Sequence, residues 1–132
     1  MLLLLAMSAC ATDDTGDSPV EELASVSILA PADGSTVCTT FGVELDIRGV
    51  ILVDPYTPPD PLPEGAAHVD LTLNGVDAEM TQGESVTLGP PNIESGFTYQ
   101  LKVELSAADH TPIDPYAGDF VYVTAEDSAC SL

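Results

Sequence analysis

The chain has two histidines, His68 and His110, and carboxylates stand around them at Asp54, Glu64, Asp70 and Asp109. Neutral imidazole with carboxylate is the donor set of zinc, copper and nickel sites, so His68, His110, Asp70 and Asp109 are the candidate metal ligands. Carboxylates and loop carbonyls without imidazole would suit calcium, which takes six to eight oxygens. The plainer reading puts His68 at a strand end on the solvent face and lets His110 cap or pack the turn before Pro112. The tripeptide Asp-Pro-Tyr occurs twice in this neighbourhood, at 54–56 and 114–116. Proline restricts the unfolded loop, so Tyr56 and Tyr116 are held out at small further entropy cost. Tyrosine also gives contact area with few rotamers to freeze. Tyr56, His68, His110 and Tyr116 are therefore the expected binding residues for a protein, a glycan or a metal ion.

These residues must be positioned by strands, because the apolar pattern from residue 25 onward has a period of two. Phe41, Val43, Leu45 and Ile47 alternate with Gly42, Glu44, Asp46 and Arg48, and Phe97, Tyr99, Leu101, Val103 and Leu105 make the longest alternation. No stretch carries a 3.6-residue period, so helix is expected nowhere in the domain. Seven strands are predicted at 25–30, 40–48, 67–74, 76–81, 85–88, 97–106 and 119–125, labelled A to G, with a hairpin at Asn74-Gly75. Ile28, Pro31, Asp33, Gly34 and Val37, the stretch Ala67 to Gly75 and the stretch Leu105 to Pro112 resemble bacterial immunoglobulin-like domains of exported proteins. That resemblance implies an all-β sandwich of two antiparallel sheets. Tyr99 is similar in position to the tyrosine corner of such sandwiches. In that topology the B–C loop, with Asp54, Tyr56, Asp60 and Glu64, and the F–G loop, with Asp109, Asp114 and Tyr116, share one pole beside the two histidines. Loops on a rigid sandwich are the usual carriers of binding residues.

Charge removes several classes of partner. Lys and Arg total 2 against 22 Asp and Glu, a formal net charge of −20. Nucleic acid binding is carried by clustered Lys and Arg and is excluded; anionic headgroups would repel the same surface. There is no G-x-S-x-G, H-E-x-x-H, P-loop, dinucleotide-binding glycine pattern or C-x-x-C, and no basic residue is expected at the loop pole to stabilise a developing anion. A small sandwich also offers little cleft for two-carboxylate glycoside hydrolysis. No enzyme is expected. Asp70, Thr72, Asn74 and Gly75 mimic the start of an EF-hand loop, but Thr81 stands where the bidentate Glu belongs and the flanks are strands.

The N-terminus points to export. Leu2 to Ala6 form an apolar run followed by Met7-Ser8-Ala9-Cys10, which resembles the lipid-attachment site of bacterial lipoproteins, with Met7 where Leu is usual. No Lys or Arg precedes the leucines, so Met1 is expected to stand a few residues downstream of the true start. The resemblance implies a signal peptide over 1–9, lipidation at Cys10 and membrane contact through that lipid. Residues 10–24 read as an acidic disordered tether with a span of roughly 20 Å, and 25–132 as the domain. Ala11 resembles the outer-membrane sorting choice of a Gram-negative producer. With Cys10 so assigned, Cys38 and Cys130 remain as an even pair in an exported chain and are expected to form a disulfide. Cys38 precedes strand B and Cys130 follows strand G, at the same pole of the sandwich. The expected protein is a non-enzymatic, lipid-anchored cell-envelope module, structural or contacting an envelope protein or glycan through the B–C and F–G loops. The alternative is a zinc-, copper- or calcium-binding envelope lipoprotein that uses His68 and His110 with nearby carboxylates.

Overall fold

Alternating apolar and polar residues make half-buried strands, and the computed structural model, which describes residues 23–130, contains nine of them. They are β1 (Ser25–Ala30), β2 (Ser35–Val37), β3 (Phe41–Arg48), β4 (Ile51–Leu52), β5 (Ala66–Leu73), β6 (Val76–Thr81), β7 (Ser85–Leu88), β8 (Phe97–Ser106) and β9 (Gly118–Ala125). A 3-10 turn, Asp127–Ala129, follows. The predicted signal segment, Cys10 and the tether as far as residue 22 lie outside the described residues. Among the described residues no helix is long and apolar enough to cross a membrane.

One sheet has the order β1-β3-β7; the other has the order β2-β9-β8-β5, with β4 and β6 on the remaining edge of β5. This is an all-β, immunoglobulin-like sandwich. Val26, Phe41, Val43, Leu45 and Leu88 of the first sheet meet Val69, Leu71, Leu73, Leu101, Val103, Leu105, Val121 and Val123 of the second in one core. The expected hairpin at Asn74-Gly75 is present, with φ 52° and 84° at its two residues, and it keeps the strand at 76–81 in the sheet of β5. Two short strands, β2 and β4, stand beyond the seven expected. The sheets are also not wholly antiparallel, since β2 runs parallel to β9 and β4 parallel to β5. The Pro31-Ala32-Asp33-Gly34 turn explains the first pair. Gly34 N donates to Tyr122 O at 2.7 Å and Asp33 Oδ1 accepts from Tyr122 N at 2.9 Å, which carries the chain from β1 across to β9.

Cys38 and Cys130 form the expected disulfide, with Cα atoms 4.4 Å apart. Tyr99 is buried, and its hydroxyl accepts the Glu94 N–H at 2.8 Å, which is the backbone tie of a tyrosine corner. Tyr99→Phe leaves that part-buried donor without its acceptor and is expected to cost about 1–2 kcal/mol. Urea denaturation of the two proteins measures the difference, and an unchanged midpoint would show that the bond contributes nothing.

Candidate functional site

On β5 the core residues Val69, Leu71 and Leu73 alternate with His68, Asp70 and Thr72, so the three polar side chains share the outer face of the sheet. The β8 ladder sets His68 opposite Ser106, Asp70 opposite Glu104 and Thr72 opposite Lys102. Polar residues of two neighbouring strands thus line up in one field. The end of that field is covered by the loop after β8. Ser106 bridges to Pro112, Ala107 N donates to Thr111 O at 2.8 Å, and His110 N donates to Ala107 O at 2.8 Å. His110 adopts a φ of 72°, uncommon for a residue with a Cβ, and its ring stands 5.1 Å from that of His68 at an interplanar angle of 70°.

His68 is consequently fully buried, not a solvent-face strand end as the plainer sequence reading has it. Burial on the outer face depends on the loop folding back. His68 Nε2 and Asp70 Oδ1 approach to 3.0 Å, yet they are not aligned as a hydrogen bond: both ring nitrogens of His68, Asp70 Oδ1 and Thr72 Oγ1 are buried without a hydrogen-bond partner. The other Asp70 oxygen, Oδ2, accepts from the buried Ser106 hydroxyl at 2.6 Å. One ligand atom from each of His68, Asp70 and His110 lies within 4.8 Å of the others.

Asp109 does not join them. Its Oδ1 accepts from Thr111 Oγ1 at 2.7 Å and Thr111 N at 3.1 Å, closing a turn in its own loop. Asp54 is committed in the same way to Tyr56 N at 2.8 Å and Thr57 N at 3.2 Å, and Glu64 is exposed. The hydrogen bonds from the Thr111 hydroxyl and amide hold the Asp109 carboxyl below its ordinary 3.8, and those from the Tyr56 amide and from Thr57 do so for Asp54. A depressed carboxyl contributes stability that is present above the unfolded value and is lost as pH falls through the folded one. The Tyr56 and Thr111 amide resonances are therefore expected to titrate with midpoints below 3.8. Midpoints at or above that value would show that the turns do not hold the carboxylates.

The two Asp-Pro-Tyr motifs border the same concavity. Tyr56, Asp70, Thr72, Asp77, Ala78, Glu79, Met80, Glu104 and His110 line a concavity of about 510 Å³. Tyr116 reaches its wall by donating from its hydroxyl to Glu104 Oε2 at 3.0 Å. Partial burial and then this Glu104 contact hold the Tyr116 phenol above 10.0, so it stays a donor. Four carboxylates line the cup, and among the described residues no Lys or Arg does. The expectation of no basic residue at this pole needs one correction, for Lys102 Nζ lies 3.9 Å from Glu104 Oε2.

Sequence reasoning missed Ser106, Thr72, Asp77, Glu79 and Glu104. Alternation alone assigns Glu104 and Lys102 to a plain solvated face. Pairing 67–74 against 97–106 in register is the signal that sets Ser106 beside His68 and Glu104 beside Asp70. That register is a tertiary fact.

No protein-family model and no curated protein matches the chain. Among solved structures it is similar to the fibronectin(III)-like modules of Clostridium thermocellum CbhA, with 14% identity and a TM-score of 0.48 over 76% of this chain and 96% of that one. The likeness is one of architecture and brings no function with it.

Proposed function

We propose that this chain is a non-catalytic binding module of the bacterial cell envelope, anchored by a lipid on Cys10, whose acidic cup between β5, β6, β8 and the two flanking loops receives a cationic ligand. The observation that carries the reading is the cup itself, where Asp70, Asp77, Glu79 and Glu104 converge from three strands. Clefts lined by one sign of charge focus the field and raise the local concentration of the opposite ion, and a net charge of −20 adds to it. Tyr56 offers a ring face to such a ligand. The non-catalytic part rests on connectivity. Ser106, Asp70 and His68 are the residue types of a hydrolytic triad in the wrong order: the serine donates to the aspartate, and neither histidine nitrogen has a hydrogen-bond partner. The lipobox-like Met7 to Cys10 supports the anchor, and Ala11 supports an outer-membrane address in a Gram-negative producer.

Two measurements test this. Metabolic labelling with a clickable fatty acid is expected to mark the wild-type chain and not Cys10→Ser; label retained by that variant removes the anchor. Full chain in detergent, titrated with tetralysine, is expected to show salt-sensitive shifts of the Tyr56, Thr72 and Asp77 amides that vanish in Asp77→Asn/Glu79→Gln/Glu104→Gln. Shifts spread over every acidic surface, or unaltered by those substitutions, remove the cup as the site.

A further inference from the structure

We propose that His68, Asp70 and His110 hold one divalent transition-metal ion, of the zinc, copper(II) and nickel class, at the floor of the cup. The inference rests on the cup being a cation site and names the cation. What carries it is an unpaid desolvation at His68. Buried polar groups in native proteins nearly always have partners, and the exceptions call for a water, an ion or a functional cause. Here a residue with no exposed surface has both ring nitrogens without a hydrogen-bond partner, and Asp70 Oδ1, in ion-pair contact with Nε2 at 3.0 Å, likewise accepts no hydrogen bond. An ion between them would satisfy both at once.

The geometry fits such an ion. With metal–ligand bonds of about 2.0–2.1 Å, neighbouring ligand atoms on a tetrahedron stand about 3.3 Å apart, and His68 Nε2 and Asp70 Oδ1 are 3.0 Å apart. His110 completes the set within 4.8 Å and sits on an exposed turn. Ser106 holds Asp70 Oδ2 and leaves Oδ1 turned toward the histidine, the kind of outer contact that orients a metal-binding carboxylate. Two imidazoles with one carboxylate select this metal class over calcium and magnesium, which require a shell of oxygens. Asp70 and His110 line the cup, so the remaining coordination position opens onto it. Three protein ligands and an open fourth position describe a site that exchanges its ion or takes a further ligand from the partner side.

The test uses full chain in detergent, stripped with a chelator and titrated separately with zinc, copper and nickel salts by calorimetry, with metal content measured after desalting. The expected result is one ion per chain for at least one of the three, with affinity falling more than about tenfold in His110→Ala and in Asp70→Asn. His110 is exposed, so the first of these keeps the fold even where His68→Ala does not. Asp60→Asn/Glu64→Gln removes two exposed loop carboxylates outside the set and is expected to leave stoichiometry unchanged. Asp77→Asn/Glu79→Gln/Glu104→Gln is expected to keep one ion per chain at reduced affinity. Binding indifferent to His110→Ala and Asp70→Asn but abolished by that triple replacement overturns the site in favour of diffuse acidic attraction. No binding of any of the three metals, with tetralysine still bound, overturns the metal and leaves the cationic cup standing. Neither bound overturns both.

Discussion

Reduction of the Cys38–Cys130 bond, or its replacement by Cys38→Ser/Cys130→Ser, is expected to lower the unfolding free energy by about 4 to 5 kcal/mol, the chain-entropy value for a closed loop of this length. The bridge spans a sequence separation of 92, nearly the whole domain, so its loss frees almost the entire unfolded chain. Domains of this size have total stabilities of about 5–15 kcal/mol, and the reduced protein should approach marginal stability. Three hydrogen bonds also tie the C-terminal turn to the body: Glu126 N donates to Val37 O at 2.9 Å, Asp127 N to Ser95 Oγ at 2.9 Å and Thr39 Oγ1 to Asp127 Oδ1 at 3.3 Å. They act within the native state and do not replace the restriction that the covalent tie places on the unfolded chain. Guanidinium denaturation with and without reductant measures the effect. A midpoint that does not move would mean that the reduced unfolded chain is already compact enough to make the bridge redundant. The bridge lies at the opposite pole from His68 and the cup, so reduction under conditions that keep the domain folded should leave metal stoichiometry at the cup unchanged.

The parts of this fold that were legible in the sequence are those set by neighbours along the chain. Asn74-Gly75 is a two-residue turn whose backbone demands positive φ at both positions, and the residues themselves announce it. The strand alternations at 41–47 and 97–105 place core and surface side chains without reference to any other segment. Cys38 and Cys130 follow from counting cysteines and from their places before one strand and after another. The two short parallel pairs, three residues of β2 and two of β4, were not legible, because segments of that length have no period to read.

The candidate site divides along the same line. That Tyr56, His68, His110 and Tyr116 belong to one pole follows from topology. His68 is buried by a loop that folds back through the Ser106–Pro112 bridge, and no local pattern at 66–70 carries that information. That Asp109 is committed to its own turn was within reach, however. Asp109-His110-Thr111 is the Asp-x-Thr spacing of a side-chain-capped turn, as Asp54-Pro55-Tyr56-Thr57 is of a related one, and a carboxylate holding its own loop has fewer lone pairs to give a metal. Ser106 required the β5–β8 register and could not be found without it.

Leu101→Ala is expected to cost about 3 kcal/mol, within the range for deleting a fully buried leucine side chain. Leu101 sits on β8 between two ladders, paired with Leu73 of β5 on one side and Val121 of β9 on the other. Both neighbours are pinned by backbone hydrogen bonds, so they cannot close over the missing methyl groups and most of the cavity persists. Leu101→Met, which keeps the volume, should cost under about 1.5 kcal/mol, and Leu29→Ala, at a position 66% exposed, close to nothing. Urea denaturation of the three variants checks this order, and a Leu29 variant as damaged as the Leu101 variant would mean that β1 is packed against a surface the isolated domain does not show. The same strand separates stability from binding. Leu101, Val103 and Leu105 face the core, whereas Glu104 and Ser106 face the cup side. Leu101→Ala should therefore lower the denaturation midpoint and leave one metal ion per folded chain, while His110→Ala should do the reverse. If Leu101→Ala also abolishes metal uptake in protein that is still folded, the His68–Asp70–His110 geometry depends on core packing beneath β5 and β8, and the site is not carried by its outer face alone.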